Sequence, residues 1–128
     1  MDIKNKKVLI VEDDPFIADV YVLKLESEGY DVETAEDGIV GLNKLKKKKY
    51  DIILLDILMP NLDGFKVLEQ IKMNPEVSKI PVVILTNLSQ KKDIQKGLDL
   101  GATDYIIKTK FTPTEVVKTI NKVLEINK

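Results

Sequence analysis

Reactive side chains follow four apolar runs of this sequence, each directly after the run ends. Carboxylates follow the first two runs, and a hydroxyl and an ammonium follow the others: Glu12, Asp13, Asp56, Thr86 and Lys108. Clustered carboxylates repel one another unless a cation neutralises them, and Mg²⁺ prefers a few carboxylates, water and a phosphoryl oxygen. A single lysine beside such a cluster can pair with an anion as a point charge. Together, these residues predict a site for magnesium and a phosphoryl group.

The apolar runs are the elements that would bring these residues together. They cover residues 8–11, 52–55, 82–85 and 105–107 without a polar interruption, which is typical of parallel strands covered on both faces. In an open α/β sheet, the carboxyl ends of the strands line one crevice, and ligands bind there. We therefore expect the reactive side chains to converge at one edge of a parallel sheet.

Helical patterns alternate with the strands. Asp14 can cap a first helix that has Pro15 at its first position, and Gly29 can end it. Apolar residues recur along this helix at helical spacing: Ile17, Val20, Tyr21 and Leu25.

The rest of the chain continues the alternation. A weaker strand at residues 32–35 precedes a second helix, which carries Ile39, Leu42 and Leu45 at helical spacing. This helix ends in the four lysines of residues 46–49, which we interpret as a solvated helix end. Further helices are expected at residues 63–73, 89–100 and 113–126. Five β–α units with right-handed crossovers predict an α/β fold with a doubly wound, five-stranded parallel sheet and five helices.

Composition excludes several classes of function. The chain of 128 residues has the length of one domain, and it lacks Cys and His, which excludes disulfides, thiolate metal sites and histidine-based catalysis. All 20 basic residues are Lys, so an arginine finger and bidentate Arg–guanine recognition are excluded. The net charge of −1 gives no general attraction to nucleic acid or anionic membranes. The polar start and the short first apolar run predict neither a signal peptide nor a membrane span, so we expect a cytoplasmic location.

The residues also indicate a reaction. An aspartate such as Asp56 can act as a nucleophile and form an acyl phosphate. A metal ion would cancel charge between that carboxylate and the incoming phosphoryl group. Lys108 would pair with another phosphoryl oxygen, and the Thr86 hydroxyl would donate a hydrogen bond to a third.

Four stretches of the sequence carry a resemblance to a known family. They are VLIVEDD at residues 8–14, DIILLDILMPNLDG at 51–64, IPVVILT at 80–86 and GATDYIIK at 101–108. In this order, and over nearly the whole chain, they resemble the receiver domain of a two-component response regulator and are similar to single-domain chemotaxis regulators. The resemblance implies a flavodoxin-like fold with sheet order 2-1-3-4-5 and a single receiver domain over residues 1–128.

The resemblance assigns roles to residues of the predicted site. It implies that Asp56 is the phosphoacceptor and that Asp13 and Asp56 bind Mg²⁺ through their carboxylates. The Leu58 backbone carbonyl would be a third protein ligand, and Glu12 would act through a water molecule.

The resemblance also implies a switch and partners. Thr86 and Lys108 would contact the phosphoryl group, and Thr86 and Tyr105 would move together as a rotamer switch. A histidine kinase or phosphotransfer protein would supply the phosphoryl group. The output would be phosphorylation-dependent protein binding through the face of helix 4, strand 5 and helix 5, without direct contact to nucleic acid or membrane.

The sequence departs from the family pattern near the site. Thr109 occupies the position after Lys108 at which the family usually has a proline, commonly with a cis bond before it. A cis bond before a non-proline residue costs about 3 kcal/mol, so we expect a trans peptide or a strained loop here. Asn87 replaces a smaller residue and should narrow access to the site. Leu58 and Leu88 are apolar and offer no group to orient an attacking water, which predicts slow self-dephosphorylation.

The sequence can also be compared with three other classes of protein. A flavodoxin-like electron carrier would bind flavin phosphate in the first strand–helix loop, but residues 12–15 there are acidic and end in a proline that lacks an N–H. Magnesium-dependent phosphohydrolases that use an aspartyl phosphate carry an Asp-x-Asp motif, and the residue two after Asp56 is Leu58. A pseudo-receiver that binds partners without phosphorylation is favoured only by Asn87 and Thr109.

Overall fold

A computed structural model describes residues 6–125 and shows strands and helices in strict alternation. The elements are β1 (Lys7–Val11), α1 (Pro15–Ser27), β2 (Asp31–Ala35), α2 (Gly38–Lys47), β3 (Ile52–Leu55), α3 (Gly64–Met73), β4 (Val82–Thr86), α4 (Lys91–Asp99), β5 (Asp104–Ile107), a short 3-10 helix (Lys108–Lys110) and α5 (Pro113–Val123). The last helix ends at Val123, earlier than the expected end at Ile126, because Leu124 and Glu125 form a turn in which Glu125 has φ of 57°; Ile126 itself lies outside the described residues. No helix within residues 6–125 has both the length and the apolar character needed to cross a membrane.

The five strands form one parallel sheet in the order β2-β1-β3-β4-β5, which confirms the predicted fold class and topology. The central strand pair aligns Val11 of β1 with Leu55 of β3. The residues that follow these two positions therefore leave the sheet side by side, at its carboxyl edge.

Each face of the sheet carries its own buried layer. Leu9 and Val11 pack against the α2–α3 side, whereas Val8 and Ile10 pack against α1 and α5. Side chains alternate between the two faces along a strand. An apolar run without a polar interruption is therefore what a strand covered on both faces requires.

The helix ends follow the predicted signals. The Asp14 side chain accepts hydrogen bonds from the N–H groups of Phe16 and Ile17 at 2.9 and 3.3 Å, and Pro15 begins α1. Gly29 has φ of 104° just after α1, and Gly101 has φ of 107° just after α4. Both glycines adopt the left-handed conformation that ends a helix and that other residues rarely reach.

Two residues of the apolar helical patterns lie at the surface. Val20 of α1 is 48% exposed and Ile39 of α2 is 51% exposed. In α1, the sheet side is filled by Tyr21 and Leu25, and Val20 lies on another side of the helix. Helical spacing alone does not specify how wide a face the sheet covers.

Candidate phosphoacceptor site

Three carboxylates meet at the carboxyl ends of β1 and β3. The Asp56 N–H donates a hydrogen bond to the Val11 carbonyl at 3.0 Å, which extends the strand pairing up to the site. Glu12 and Asp13 follow Val11, and one carboxylate oxygen from each of Glu12, Asp13 and Asp56 lies within 4.8 Å of the others. The structure therefore brings together the acidic residues that the sequence placed in different parts of the chain.

The acidic cluster is only partly open to solvent. Glu12 and Asp56 are 6% and 5% exposed, whereas Asp13 is exposed. Burial raises the pKa of Glu12 to about 7, although a hydrogen bond from Lys108 and another from the Asp14 N–H act to lower it. Carboxylates this close and this buried favour a bound cation.

Lys108 supplies one positive charge to the cluster. It follows β5, and its Nζ donates to Asp56 Oδ2 at 3.1 Å and also to a carboxylate oxygen of Glu12. Burial alone would lower the pKa of Lys108, but the hydrogen bond with Glu12 and the charge of Asp56 outweigh it, and the pKa is raised. Lys108 is therefore an ammonium that bridges two carboxylates from different strands.

Thr86 ends β4 and is fully buried. It is aligned with Ile107, the residue before Lys108, so the hydroxyl and the ammonium belong to neighbouring strand ends. The Thr86 hydroxyl oxygen accepts a hydrogen bond from the Leu88 N–H at 3.4 Å. The structure places Thr86 at the same edge as the carboxylates, and its contact with a phosphoryl group stays a prediction.

Tyr105 is half-buried on β5 and is held by the loop that follows β4. Its hydroxyl donates a hydrogen bond to the Leu88 carbonyl at 2.5 Å. Leu88 thus contacts both Thr86 and Tyr105, through its N–H and its carbonyl respectively. Burial raises the pKa of Tyr105 to about 12, so the hydroxyl keeps its proton and remains a donor.

Gly97 of α4 leaves room for the Tyr105 ring, a role that sequence reasoning missed. A Cβ atom at position 97 would lie 2.6 Å from Ile84 Cδ1 and 3.0 Å from the Tyr105 ring. A glycine inside a helix costs stability relative to alanine, so its presence marks a close approach. The unusual helical glycine was the signal, but the partner it accommodates depends on the tertiary packing.

Gly64, at the start of α3, allows a second close approach. A Cβ atom at this position would lie 2.3 Å from the Asp56 carbonyl oxygen and 2.6 Å from Ile57 Cα. Gly64 also donates its N–H to the Ile57 carbonyl at 3.0 Å. The glycine therefore lets α3 begin directly against the backbone that carries Asp56.

The positions that depart from the family pattern differ in exposure. Leu58 is 55% exposed, and its N–H donates to Asp56 Oδ1 at 3.2 Å. Asn87 is exposed and Leu88 is half-buried. No peptide bond within the described residues is cis, so the expectation of a trans bond between Lys108 and Thr109 is confirmed.

The donor set fits a magnesium ion. The carboxylates of Asp13, Asp56 and Glu12 are hard oxygen ligands, the type that Mg²⁺ prefers. Asp13 is exposed, which suits an ion that keeps several water ligands. Lys108 occupies only one side of the cluster, through one oxygen each of Glu12 and Asp56.

Comparisons with curated proteins identify relatives that are longer than this chain. It is 41% identical to the DNA-binding dual master transcriptional regulator RpaA of Synechocystis sp. over 80% of this chain and 42% of that protein. It is 39% identical to the alkaline phosphatase synthesis transcriptional regulatory protein PhoP of Bacillus subtilis, over 94% of this chain and 49% of that protein. The chain therefore spans about half the length of the curated relatives it matches.

Comparisons with solved structures agree with the fold. The chemotaxis response regulator CheY4 of Vibrio cholerae superposes with a TM-score of 0.87 at 33% identity, covering 94% of this chain and 99% of that one. A CheY-like receiver domain protein of Methanospirillum hungatei gives 0.87 at 31% identity, covering 95% of both chains. The family model for the response regulator receiver domain matches residues 8–121. The chain therefore belongs to the response regulator receiver domain family.

Proposed function

We propose that this chain is a phosphorylation switch of a two-component phosphorelay, with Asp56 as the phosphoacceptor. The observation that carries the proposal is the environment of the Asp56 carboxylate, which is buried, accepts a hydrogen bond from Lys108 and lies close to the carboxylates of Glu12 and Asp13. Receiver domains interact with histidine kinases or phosphotransfer proteins. The donor of the phosphoryl group is such a partner, since this chain contains no histidine.

The proposed transfer step uses the Asp56 carboxylate as the nucleophile. A carboxylate oxygen of Asp56 forms a bond to phosphorus, while the bond from phosphorus to the partner's imidazole nitrogen breaks and that nitrogen keeps the electron pair. The Lys108 ammonium, 3.1 Å from Asp56 Oδ2, is placed to pair with a phosphoryl oxygen. The Thr86 hydroxyl would donate a hydrogen bond to another phosphoryl oxygen after the side chain moves away from the Leu88 N–H.

Receiver domains are generally Mg²⁺-dependent, and this chain has an acidic cluster of the required kind. Asp13 and Asp56 would hold the ion through their carboxylates, the Leu58 carbonyl would be a third ligand, and Glu12 would bind through water. When bound, Mg²⁺ neutralises charge that builds up on the phosphoryl oxygens. The chain's own groups provide the nucleophile, the metal ligands and the lysine, so it catalyses its own phosphorylation and dephosphorylation.

The output would be a phosphorylation-dependent protein contact on the face of α4, β5 and α5. Tyr105 lies on this face, and its bond to the Leu88 carbonyl links it to the loop after Thr86. Movement of Thr86 toward a phosphoryl group would remove the acceptor of the Leu88 N–H and change the packing of Tyr105. A cytoplasmic location and the absence of direct contact with nucleic acid remain predictions.

Intact mass spectrometry tests the proposal. The protein is incubated with Mg²⁺ and a small-molecule phosphodonor such as an acyl phosphate, beside an Asp56→Asn control. We expect a mass gain of one phosphoryl group that requires the metal and is absent in the control. An unchanged mass under these conditions would instead favour a pseudo-receiver, with Asn87 and Thr109 as the first positions to revert.

A further inference from the structure

A groove along α2 and α3 has features that the phosphorylation switch does not use. Between these helices lies a depression of about 470 Å³, and a second of about 540 Å³ adjoins it beyond the end of α2. Both are lined by Leu45, Lys46 and Val77, so they form one elongated groove. We call the two depressions together the α2–α3 groove.

The groove has an apolar floor with exposed apolar side chains at its edge. Leu45, Ile71 and Val77 are buried and form the floor. At the edge, Ile39 and Met73 are 51% and 75% exposed, although both line the same depression. Large apolar side chains left in solvent beside an apolar floor are typical of a surface that binds a partner. Methionine in particular adapts to partners of different shape.

The rim of the groove is positively charged. Lys46, Lys47 and Lys49 line it, and within residues 6–125 none of them takes part in an ion pair or side-chain hydrogen bond. Lys48 differs, because its Nζ lies 2.9 Å from Glu33 Oε2. Glu76 is the single acidic residue among the described residues that line the two depressions.

From these features, we propose that the α2–α3 groove binds an acidic amphipathic segment of a partner protein. Apolar side chains of the segment would enter the floor, and its Asp and Glu residues would pair with Lys46, Lys47 and Lys49. The protein as a whole has a net charge of −1, so this positive rim is a local feature. Two joined depressions fit an elongated segment, such as an amphipathic helix, better than one compact small molecule, which would fill only one of them.

This interaction goes beyond the proposed phosphorylation. The groove is lined by α2, α3 and the segments next to these helices, and none of its lining residues is Glu12, Asp13, Asp56, Thr86 or Lys108. Binding therefore does not require a phosphoryl group on Asp56. Loss of phosphorylation in Asp56→Asn should leave the groove interaction intact, so the two proposals fail independently.

A designed peptide tests the groove. The probe is a fluorescent peptide with leucines at helical spacing and glutamates at its other exposed positions; a second peptide has lysines in place of the glutamates. We expect saturable binding of the acidic peptide, weakened by salt, and chemical-shift changes in the protein that centre on Leu45, Met73 and Val77. Equal binding of the basic peptide, or shift changes centred elsewhere, would overturn the proposal.

Variants separate charge from apolar contact. In Lys46→Glu/Lys47→Glu, we expect about tenfold weaker binding of the acidic peptide, because two attractions become repulsions. Met73→Asp should also weaken binding. Because Met73 is exposed, we expect the melting temperature of this variant to equal that of the wild type, and this is measured alongside to exclude loss of folding. The matched control is Lys91→Glu/Lys92→Glu on α4, which has the same charge change outside the groove and should bind as the wild type does.

Other occupants would produce different results. A concentration-dependent dimer in sedimentation, lost in Met73→Asp and accompanied by no peptide binding, would make a second copy of the chain the occupant and overturn the proposal. Unchanged peptide binding in both groove variants would overturn it as well.

Discussion

The two halves of the site differ in what their residues contact. In the half formed by β1 and β3, Glu12, Asp13 and Asp56 present carboxylates to one another and to Lys108. In the half formed by β4 and β5, Thr86 and Tyr105 both contact the backbone of Leu88. The first half concentrates charge, and the second holds a loop by hydrogen bonds.

This difference suggests a division of labour. A buried carboxylate cluster is suited to a chemical step, since its charges respond strongly to an added cation or phosphoryl group. The two hydrogen bonds of the second half, from the Leu88 N–H to the Thr86 hydroxyl and from the Tyr105 hydroxyl to the Leu88 carbonyl, each contribute modestly to stability and can be exchanged at low cost. Lys108 connects the halves, because it extends from β5 to carboxylates that follow β1 and β3.

Among single-residue variants of the site that retain Asp56, removal of the Lys108 ammonium should have the largest effect on phosphorylation. In Lys108→Met, the charge that faces Asp56 is lost, and we expect phosphorylation from a small donor to slow by roughly a hundredfold. The rate of mass gain measures this effect, with Lys110→Met as a nearby exposed control. A rate equal to that of the wild type would show that Lys108 only neutralises the cluster in the unphosphorylated protein.

Asp13→Asn tests the acidic half through its metal requirement. Because one of the three clustered carboxylates is lost, we expect the Mg²⁺ concentration for half-maximal phosphorylation to rise by at least about tenfold. Titration of the phosphorylation rate with Mg²⁺ gives this value. Asp14→Asn is the control, since the Asp14 side chain caps α1 and asparagine caps a helix equally well. An identical Mg²⁺ requirement in Asp13→Asn would remove Asp13 from the metal site.

Leu88→Asn tests the half that contains the switch. A polar side chain at this half-buried position could orient a water molecule, so we expect dephosphorylation to become several-fold faster than the slow decay of the wild type. The decay of the phosphorylated mass over time measures both rates. A wild-type phosphoform that decays within seconds, or an unchanged rate in the variant, would contradict the account of slow self-dephosphorylation.

Gly97→Ala should have the smallest effect and the most local one. The added Cβ would lie 2.6 Å from Ile84 Cδ1 and 3.0 Å from the Tyr105 ring, so crowding should outweigh the better helix propensity of alanine by about 1 kcal/mol. With fluorotyrosine labelling, we expect four signals, of which that of Tyr105 shifts most. Gly41→Ala is the matched control, because its Cβ would meet Val11 at 3.0 Å and no tyrosine. If the fluorotyrosine signals shifted equally in Gly97→Ala and Gly41→Ala, the packing of Tyr105 would not depend specifically on Gly97.

The sequence predicted that the reactive side chains of the site meet at one edge of the sheet, because strand ends and parallel topology together determine where they lie. Glu12, Asp56 and Lys108 each follow an apolar run, and parallel pairing brings the ends of those runs to one edge. Helix starts could also be predicted from the sequence, because a capping residue such as Asp14 acts within a few residues of the chain.

Other features depend on packing between distant segments and could not be predicted in this way. The exposure of Val20 depends on how much of α1 the sheet covers, which helical spacing does not specify. The close approaches at Gly64 and Gly97 involve the Asp56 backbone and the Tyr105 ring, and only the assembled fold identifies these partners. The acidic residues were visible as a group, but the pairing of Lys108 with both Glu12 and Asp56 required the structure.

The central claim is that Asp56 receives the phosphoryl group, and localisation of the modified residue tests it most directly. Borohydride reduces an aspartyl phosphate to homoserine with release of phosphate, which leaves a stable mark on the modified residue. Peptide sequencing by mass spectrometry after phosphorylation should find homoserine at position 56 and aspartate at positions 13 and 14. Homoserine at position 13 or 14, or at none of the three, would contradict the account.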